Sequence, residues 1–176
     1  MRFWESVFAD WRNYGDAFKQ EKSCLRFYIK HAGAKISFYY RLLCYTKSKK
    51  LRILSFIVRL CYHHICMKYA CEIPSRVVIG EGVCFPHPFG IVINSNISIG
   101  KNATILSGVV LGKTEKGIPL IEDDVYIGAN ACVIGAVTVG KGAVIGAGSV
   151  VTKEVLPHQV VAGNPAHVLK SVEKMS

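Results

Sequence analysis

Between Lys22 and Cys71 the chain has no aspartate or glutamate, although lysine and arginine recur through the whole stretch. Arg26, Lys30, Lys35, Arg41, Lys47, Lys49, Lys50, Arg52, Arg59 and Lys68 fall inside it. The remainder balances at twelve basic against twelve acidic residues, so the formal charge of +10 lies entirely in this segment. The seven cysteines form no Cys-x-x-Cys pair and are odd in number, which argues against a disulfide framework and for reduced, buried thiols in a cytosolic protein. No apolar run is long enough to cross a bilayer: the best candidate, 51–70, is broken by Arg52, Arg59, His63, His64 and Lys68. A basic start followed by an apolar stretch and a small-residue cleavage site is also missing, so a cytoplasmic rather than secreted protein is expected. Half the residues are hydrophobic, glycine is abundant and proline modest, which argues against disorder. At 176 residues there is room for one domain with an appendage, so a larger site must come from self-association.

What is present divides into two textures. From 1 to 70, bulky residues such as Phe3, Trp4, Phe8 and Trp11 recur three to four apart, and Leu51, Leu54, Ile57, Val58 and Cys61 repeat that spacing. This predicts about three helices in a basic segment, broken near 13–16, 31–33 and 46–49. From 71 to 176 a period of six takes over. Aliphatic residues stand at Ile93, Ile99, Ile105, Leu111, Ile121, Ile127, Val133, Val139, Ile145 and Val151. Four places after them come small or β-branched residues such as Ile97, Ala103, Val109, Val125, Ala131, Val137, Ala143 and Ser149. Each hexad then makes a short strand and a turn, and three hexads close one triangular coil whose aliphatics stack into an interior ladder. Strands of a sandwich would need alternating polarity and a spacing of about eight to twelve residues. The register slips twice, by two residues between Phe85 and Ile93 and by four between Leu111 and Ile121, the latter giving the loop 114–119. Insertions in a solenoid bulge outward as surface loops, where function tends to sit.

The stretch from Cys71 to Lys170 resembles the hexapeptide-repeat acyltransferases, in particular their serine acetyltransferase branch. The resemblance rests on Phe85-Pro86-His87-Pro88-Phe89-Gly90-Ile91-Val92, Val125-Tyr126-Ile127-Gly128-Ala129, Ile145-Gly146-Ala147-Gly148-Ser149-Val150-Val151 and Ala162-Gly163-Asn164-Pro165-Ala166. It implies a mainly β fold, a left-handed parallel β-helix preceded by an N-terminal α-helical segment. It also implies a homotrimer, with pairing of trimers left open, and acetyl-CoA as co-substrate in a cleft between neighbouring coils.

A lone histidine beside proline and phenylalanine is as a rule packing or surface, and it is the resemblance that singles out His87. An imidazole is the side chain best suited to removing a proton from an attacking hydroxyl at neutral pH. Glu72, fifteen residues earlier and about one coil away, occupies the place of an acidic residue in the related enzymes. It is either the group that orients His87 or a solvated charge. By the same resemblance Thr114, Gly128, Ala129, Gly146 and Ala147 line the CoA cleft, the alternative being tight-turn geometry. Lys153 and Lys170 either meet the CoA phosphates or are ordinary surface lysines. No metal is expected, since His63 and His64 are adjacent and lack a third ligand at suitable spacing. Residues 107–114 echo a phosphate-binding loop but lack its first glycine and its strand-to-helix context.

Three departures bear on the acceptor. Serine acetyltransferases carry Asp immediately before the catalytic His and an Arg-His pair in the later loop, where here stand Pro86 and Gly117-Ile118. Their helical domain also supplies an acidic residue toward the amino acid, whereas Lys22 to Cys71 here has none. The expected acceptor is therefore a sugar hydroxyl in surface or capsular polysaccharide, as in the acetyltransferases of such clusters, with serine as the alternative and a non-catalytic scaffold as a further one. Tyr39, Tyr40 and Tyr45 would stack on sugars or belong to the core. The basic segment would suit peripheral contact with the inner membrane surface. Nucleic acid is not an expected partner, because no reader motif accompanies the charge.

Overall fold

A strand of two residues buries almost nothing alone, and its inward side chain is covered only when identical strands stack above and below. The computed structural model, which describes residues 3–171, shows that stacking on three faces. Face A holds β2 (Val92–Ile93), β5 (Val110–Gly112), β8 (Cys132–Ile134) and β11 (Val150–Val151). Face B holds β1 (Val78–Ile79), β3 (Ser98–Ile99), β6 (Leu120–Ile121) and β9 (Thr138–Val139). Face C holds β4 (Thr104–Ile105), β7 (Tyr126–Ile127), β10 (Val144–Ile145) and β12 (Gln159–Ala162), closed by the antiparallel β13 (His167–Ser171). Every other pairing is parallel.

The chain winds A to B to C, and the pairings count the residues per coil. Val92 meets Val110 eighteen positions on, as three hexads require. Val78 meets Ser98 after twenty, and Val110 meets Cys132 after twenty-two. The two slips of register thus leave the coil as loops, 86–90 and 113–119, without disturbing the ladder. All ten aliphatics of the hexad series are buried, and so are the eight residues four places after them. Ser149, the polar member, donates its Oγ to the Gly146 carbonyl at 2.7 Å, so its burial leaves no orphan hydroxyl.

Among the described residues five helices precede the solenoid where about three were expected: α1 (Phe3–Arg12), α2 (Asp16–Lys19), α3 (Cys24–Lys30), α4 (Ala32–Ser48) and α5 (Arg52–Lys68). The expected breaks occur, and a further one separates α2 from α3. There Ser23 caps the new helix by accepting from the Arg26 amide at 3.2 Å.

The helices rest on the first coil through polar anchors. Arg41, buried on α4, donates to the carbonyls of Ile79 and Gly80 and to both oxygens of Asp10 on α1. Asp10 accepts in turn from the amides of Gly82 and Val83. Tyr40 donates to the Val77 carbonyl at 2.8 Å and accepts from the Ile79 amide at 3.1 Å, which makes it a core residue rather than a stacking platform. Arg41 likewise leaves the solvent-facing charge: it is a neutralised internal cation, not part of the basic surface.

Candidate active site

Each edge of the prism collects the turns between two faces. The edge from C to A carries the inserted loop 86–90 in the first coil, then Leu106 to Gly108, Gly128 to Asn130, Gly146 to Gly148 and Ala162 to Gly163 above it. His87 and four of the expected cleft residues, Gly128, Ala129, Gly146 and Ala147, therefore share one edge.

His87 is exposed in its loop, flanked by the half-buried Pro86 and the buried Pro88. The loop is held from below and above. Gly90 donates to the Tyr69 carbonyl at 3.4 Å, the rings of Phe89 and Tyr69 meet edge to face at 5.6 Å, and the Gly108 amide donates to the Phe89 carbonyl at 2.8 Å. Cys71 donates its thiol to the Pro88 carbonyl. On the third side the helical segment closes in. Tyr14 donates to the Phe85 carbonyl at 3.1 Å and accepts from the Phe85 amide at 3.3 Å, while Gly33 packs so tightly that a Cβ there would overlap the Phe85 carbonyl. His31, at the junction of α3 and α4, stands close enough to feel His87 electrostatically. Its pKa is held below the ordinary histidine value, first by desolvation; Glu21 pulls it up, and Lys30, His87 and Lys35 push it down. Tyr14, His31 and Gly33 were legible only as a helix break; their approach to Phe85 is a tertiary fact.

Glu72 is exposed at the start of face A, where its backbone pairs with Ile91 and Ile93 at 2.8 Å, so the strand entered from the His87 loop lies directly upon it. No hydrogen bond joins its carboxylate to His87 among the described residues. Glu72 lines a groove of about 740 Å³ between α5 and the first coil, together with Arg59, His63 and Arg76.

The small residues of the edge divide into two kinds. A Cβ on Gly128 would lie 2.6 Å from the Ala147 amide nitrogen, and one on Gly146 would lie 2.8 Å from the Ala162 Cβ, so coil stacking itself demands glycine there. Neither has a positive φ, so close approach rather than turn geometry is the reason. Ala129 is half-buried, while Ala147 and Gly148 are exposed, and an added Cβ on Gly148 would meet nothing within 4 Å. These leave a shallow open track that suits a narrow, extended acyl carrier.

Thr114 falls elsewhere, on the edge from A to B, in a loop closed by mutual backbone hydrogen bonds with Gly117 at 2.9 and 3.2 Å. Gly135 lies against it one coil on, and Lys153, exposed, follows face A on the same edge in the last coil. Lys170, also exposed, sits on β13 opposite Val160. One chain therefore spreads the expected CoA residues over the two edges flanking face A, with Lys170 on face C.

The cysteines around the site are poor nucleophiles. Burial pushes the thiol of Cys66 up to about 11 and that of Cys84 to about 12, and it raises Cys71 as well.

Comparison with known proteins agrees with this fold. Residues 119–153 match the family model described as bacterial transferase hexapeptide (six repeats). The chain is 45% identical over 102 residues to serine acetyltransferase of Bacillus pumilus (strain SAFR-032), an alignment that covers 56% of this chain and 47% of that protein. Among solved structures, soybean serine acetyltransferase complexed with serine superposes with a TM-score of 0.77 at 30% identity, over 95% of this chain and 69% of that one. Serine acetyltransferase in complex with coenzyme A from Brucella abortus strain S19 superposes with a TM-score of 0.78 at 25% identity, over 96% and 68%. The chain spans less than half the length of the curated relatives it matches.

These relatives overturn the expected glycan acceptor, because they are serine acetyltransferases and not acetyltransferases of capsule or surface polysaccharide. Pro86, Gly117-Ile118 and the lack of an acidic residue between Lys22 and Cys71 are local departures, whereas the likeness extends through the helical segment as well as the solenoid. With its hexad ladder, its stacked parallel coils and these neighbours, the chain belongs to the hexapeptide-repeat β-helix acyltransferase family.

Proposed function

We propose that the chain is an acetyl-CoA-dependent O-acetyltransferase whose acceptor is serine, with His87 as general base. The observation that carries this reading is the exposed imidazole of His87 on the same edge as the open Ala129, Ala147 and Gly148 track. His87 takes the proton of the acceptor hydroxyl as its oxygen bonds to the thioester carbonyl carbon. The carbon–sulfur bond then breaks, and the proton passes to the departing CoA thiolate. Glu72, on the coil beneath, holds the imidazole in the productive tautomer once substrate draws the two together. The loop that lacks an Arg-His pair still offers cations, since Lys113 and Lys116 are exposed on either side of Thr114 and would face the acceptor carboxylate.

The active assembly is a homotrimer. Two features support it: face B and its neighbours expose Val78, Val92, Leu120 and Tyr126 to solvent, and a cleft between copies would unite the two edges that a single chain keeps apart. Lys153 and Lys170 then serve the CoA phosphates across that seam.

The test is CoA release by the purified chain with serine present or absent. We expect serine-dependent turnover that falls about 10²- to 10⁴-fold in His87→Ala. Glu72→Gln should lower kcat by more than about tenfold with little change in KM for acetyl-CoA. Undiminished activity of His87→Ala, or turnover that ignores serine, would refute the reading.

A further inference from the structure

The helical segment carries a second surface that acetyl transfer leaves unused. Helix α5 buries Val58, Tyr62 and Cys66 against the fold and turns most of its other large apolar side chains outward. Ile53, Ile57, Leu60 and Met67 follow one another at intervals of four, three and seven residues, so they line one side of the helix, at 80%, 50%, 54% and 62% exposure. At the near end of this stripe, the end of α4 and the first turns of α5 enclose a cleft of about 390 Å³. It is lined by Lys47, Lys50, Arg52, Ser55, Phe56 and Arg59. Arg59 stacks over the Phe56 ring at 5.6 Å, and Lys47 also donates to the Ser75 carbonyl. Four cations share the cleft and none of its lining residues is acidic, although Arg59 also reaches the neighbouring groove that Glu72 lines.

We propose that this face docks on a bilayer of anionic phospholipid, with lipid phosphate in the cleft and Ile53, Ile57 and Leu60 in the boundary between headgroups and acyl chains. The adjacency of the two features selects this occupant. A phosphate alone would satisfy the cations and leave the apolar stripe in water. A second copy would cover the stripe but bring Arg52, Arg59 and Lys68 against their own kind. Among the described residues no helix is long and apolar enough to cross a membrane, so α5 lies in the plane of the surface.

The proposal goes beyond acetyl transfer, and its test needs neither serine nor acetyl-CoA, so the two readings fail separately. The full chain is sedimented with phosphatidylcholine vesicles with and without phosphatidylglycerol, alongside Lys50→Glu, Arg52→Glu and Ile57→Asp variants. Circular dichroism and elution volume serve as checks on folding and assembly. We expect binding only where phosphatidylglycerol is present. It should weaken at least about fivefold for each cation reversed, fall with Ile57→Asp, and persist in millimolar inorganic phosphate at constant ionic strength. No binding to phosphatidylglycerol vesicles, or variants that bind like the parent, would overturn it. So would release by inorganic phosphate, which would assign the cleft to the free ion. Loss of oligomer mass in Ile57→Asp with lipid binding intact would assign the stripe to a second copy.

Discussion

Arg41 grips Asp10 with two parallel hydrogen bonds, Nε to Oδ2 and Nη2 to Oδ1, each 2.8 Å, and both side chains are buried. The pair does more than join α1 to α4, because each partner also bonds the backbone of the first coil, and so the helical segment is keyed to the solenoid through one internal ion pair. Burial pushes the Asp10 carboxyl above its ordinary value, against the pull of Arg41 and of the Gly82 and Val83 amides. Asp10→Ala leaves a guanidinium buried without its counter-charge, and should cost about 3–5 kcal/mol in urea unfolding. Arg41→Lys keeps the charge but loses the planar fork, and should cost about 1–3 kcal/mol.

This pair also shows where reading the sequence stops. The hexad ladder was legible residue by residue, because a period of six is a local property and each insertion shows itself as a break in count. Arg41 looked like one more cation of a basic run, since its partner lies thirty-one positions away on another helix. The break before Ser23 had a local signal, a capping serine, that the spacing of bulky residues obscured. Within the site, sharing of one edge by His87, Gly128, Ala129, Gly146 and Ala147 follows from the period. The placement of Thr114 on another edge required knowing which face each insertion follows.

The contact of Tyr14 and Gly33 with Phe85 makes the His87 loop sensitive to the helices. Gly33→Ala should force α4 away from Phe85 and cost about 1–3 kcal/mol, with acetyl transfer falling more steeply than stability. Tyr14→Phe removes two hydrogen bonds and should cost about 1–2 kcal/mol. Thermal melts read beside kcat check both, and a Gly33→Ala protein with parental kcat would contradict the coupling.

The interior ladder predicts a sharp contrast between neighbouring kinds of site. Leu111 is fully buried, so Leu111→Ala should cost about 2–5 kcal/mol. Val78 points outward from face B, and Val78→Ala should change the stability of the isolated chain by about 0.5 kcal/mol or less. Equilibrium denaturation of the two variants under one set of conditions makes the comparison.

His31 supplies a pH dependence. Its folded pKa lies below the unfolded value of about 6.5, so the unfolded chain binds the proton more readily. The contribution of this residue is therefore complete above about pH 6.5 and is lost as pH falls through that value toward the folded pKa. His31→Gln should flatten the stability profile in this window, which denaturant midpoints measured across it would show.

Winding by count has a further consequence for what the chain can tolerate. Removing a single hexad from the middle of the solenoid would turn everything after it by one face, so that side chains meant for face A would present themselves on face C. Only the loss or gain of a whole turn, eighteen residues, would leave every later surface pointing as before. Shorter changes in length should therefore survive only at the two places that already leave the winding, 86–90 and 113–119, which ties the freedom of this scaffold to lengthen to the very loops that flank its chemistry.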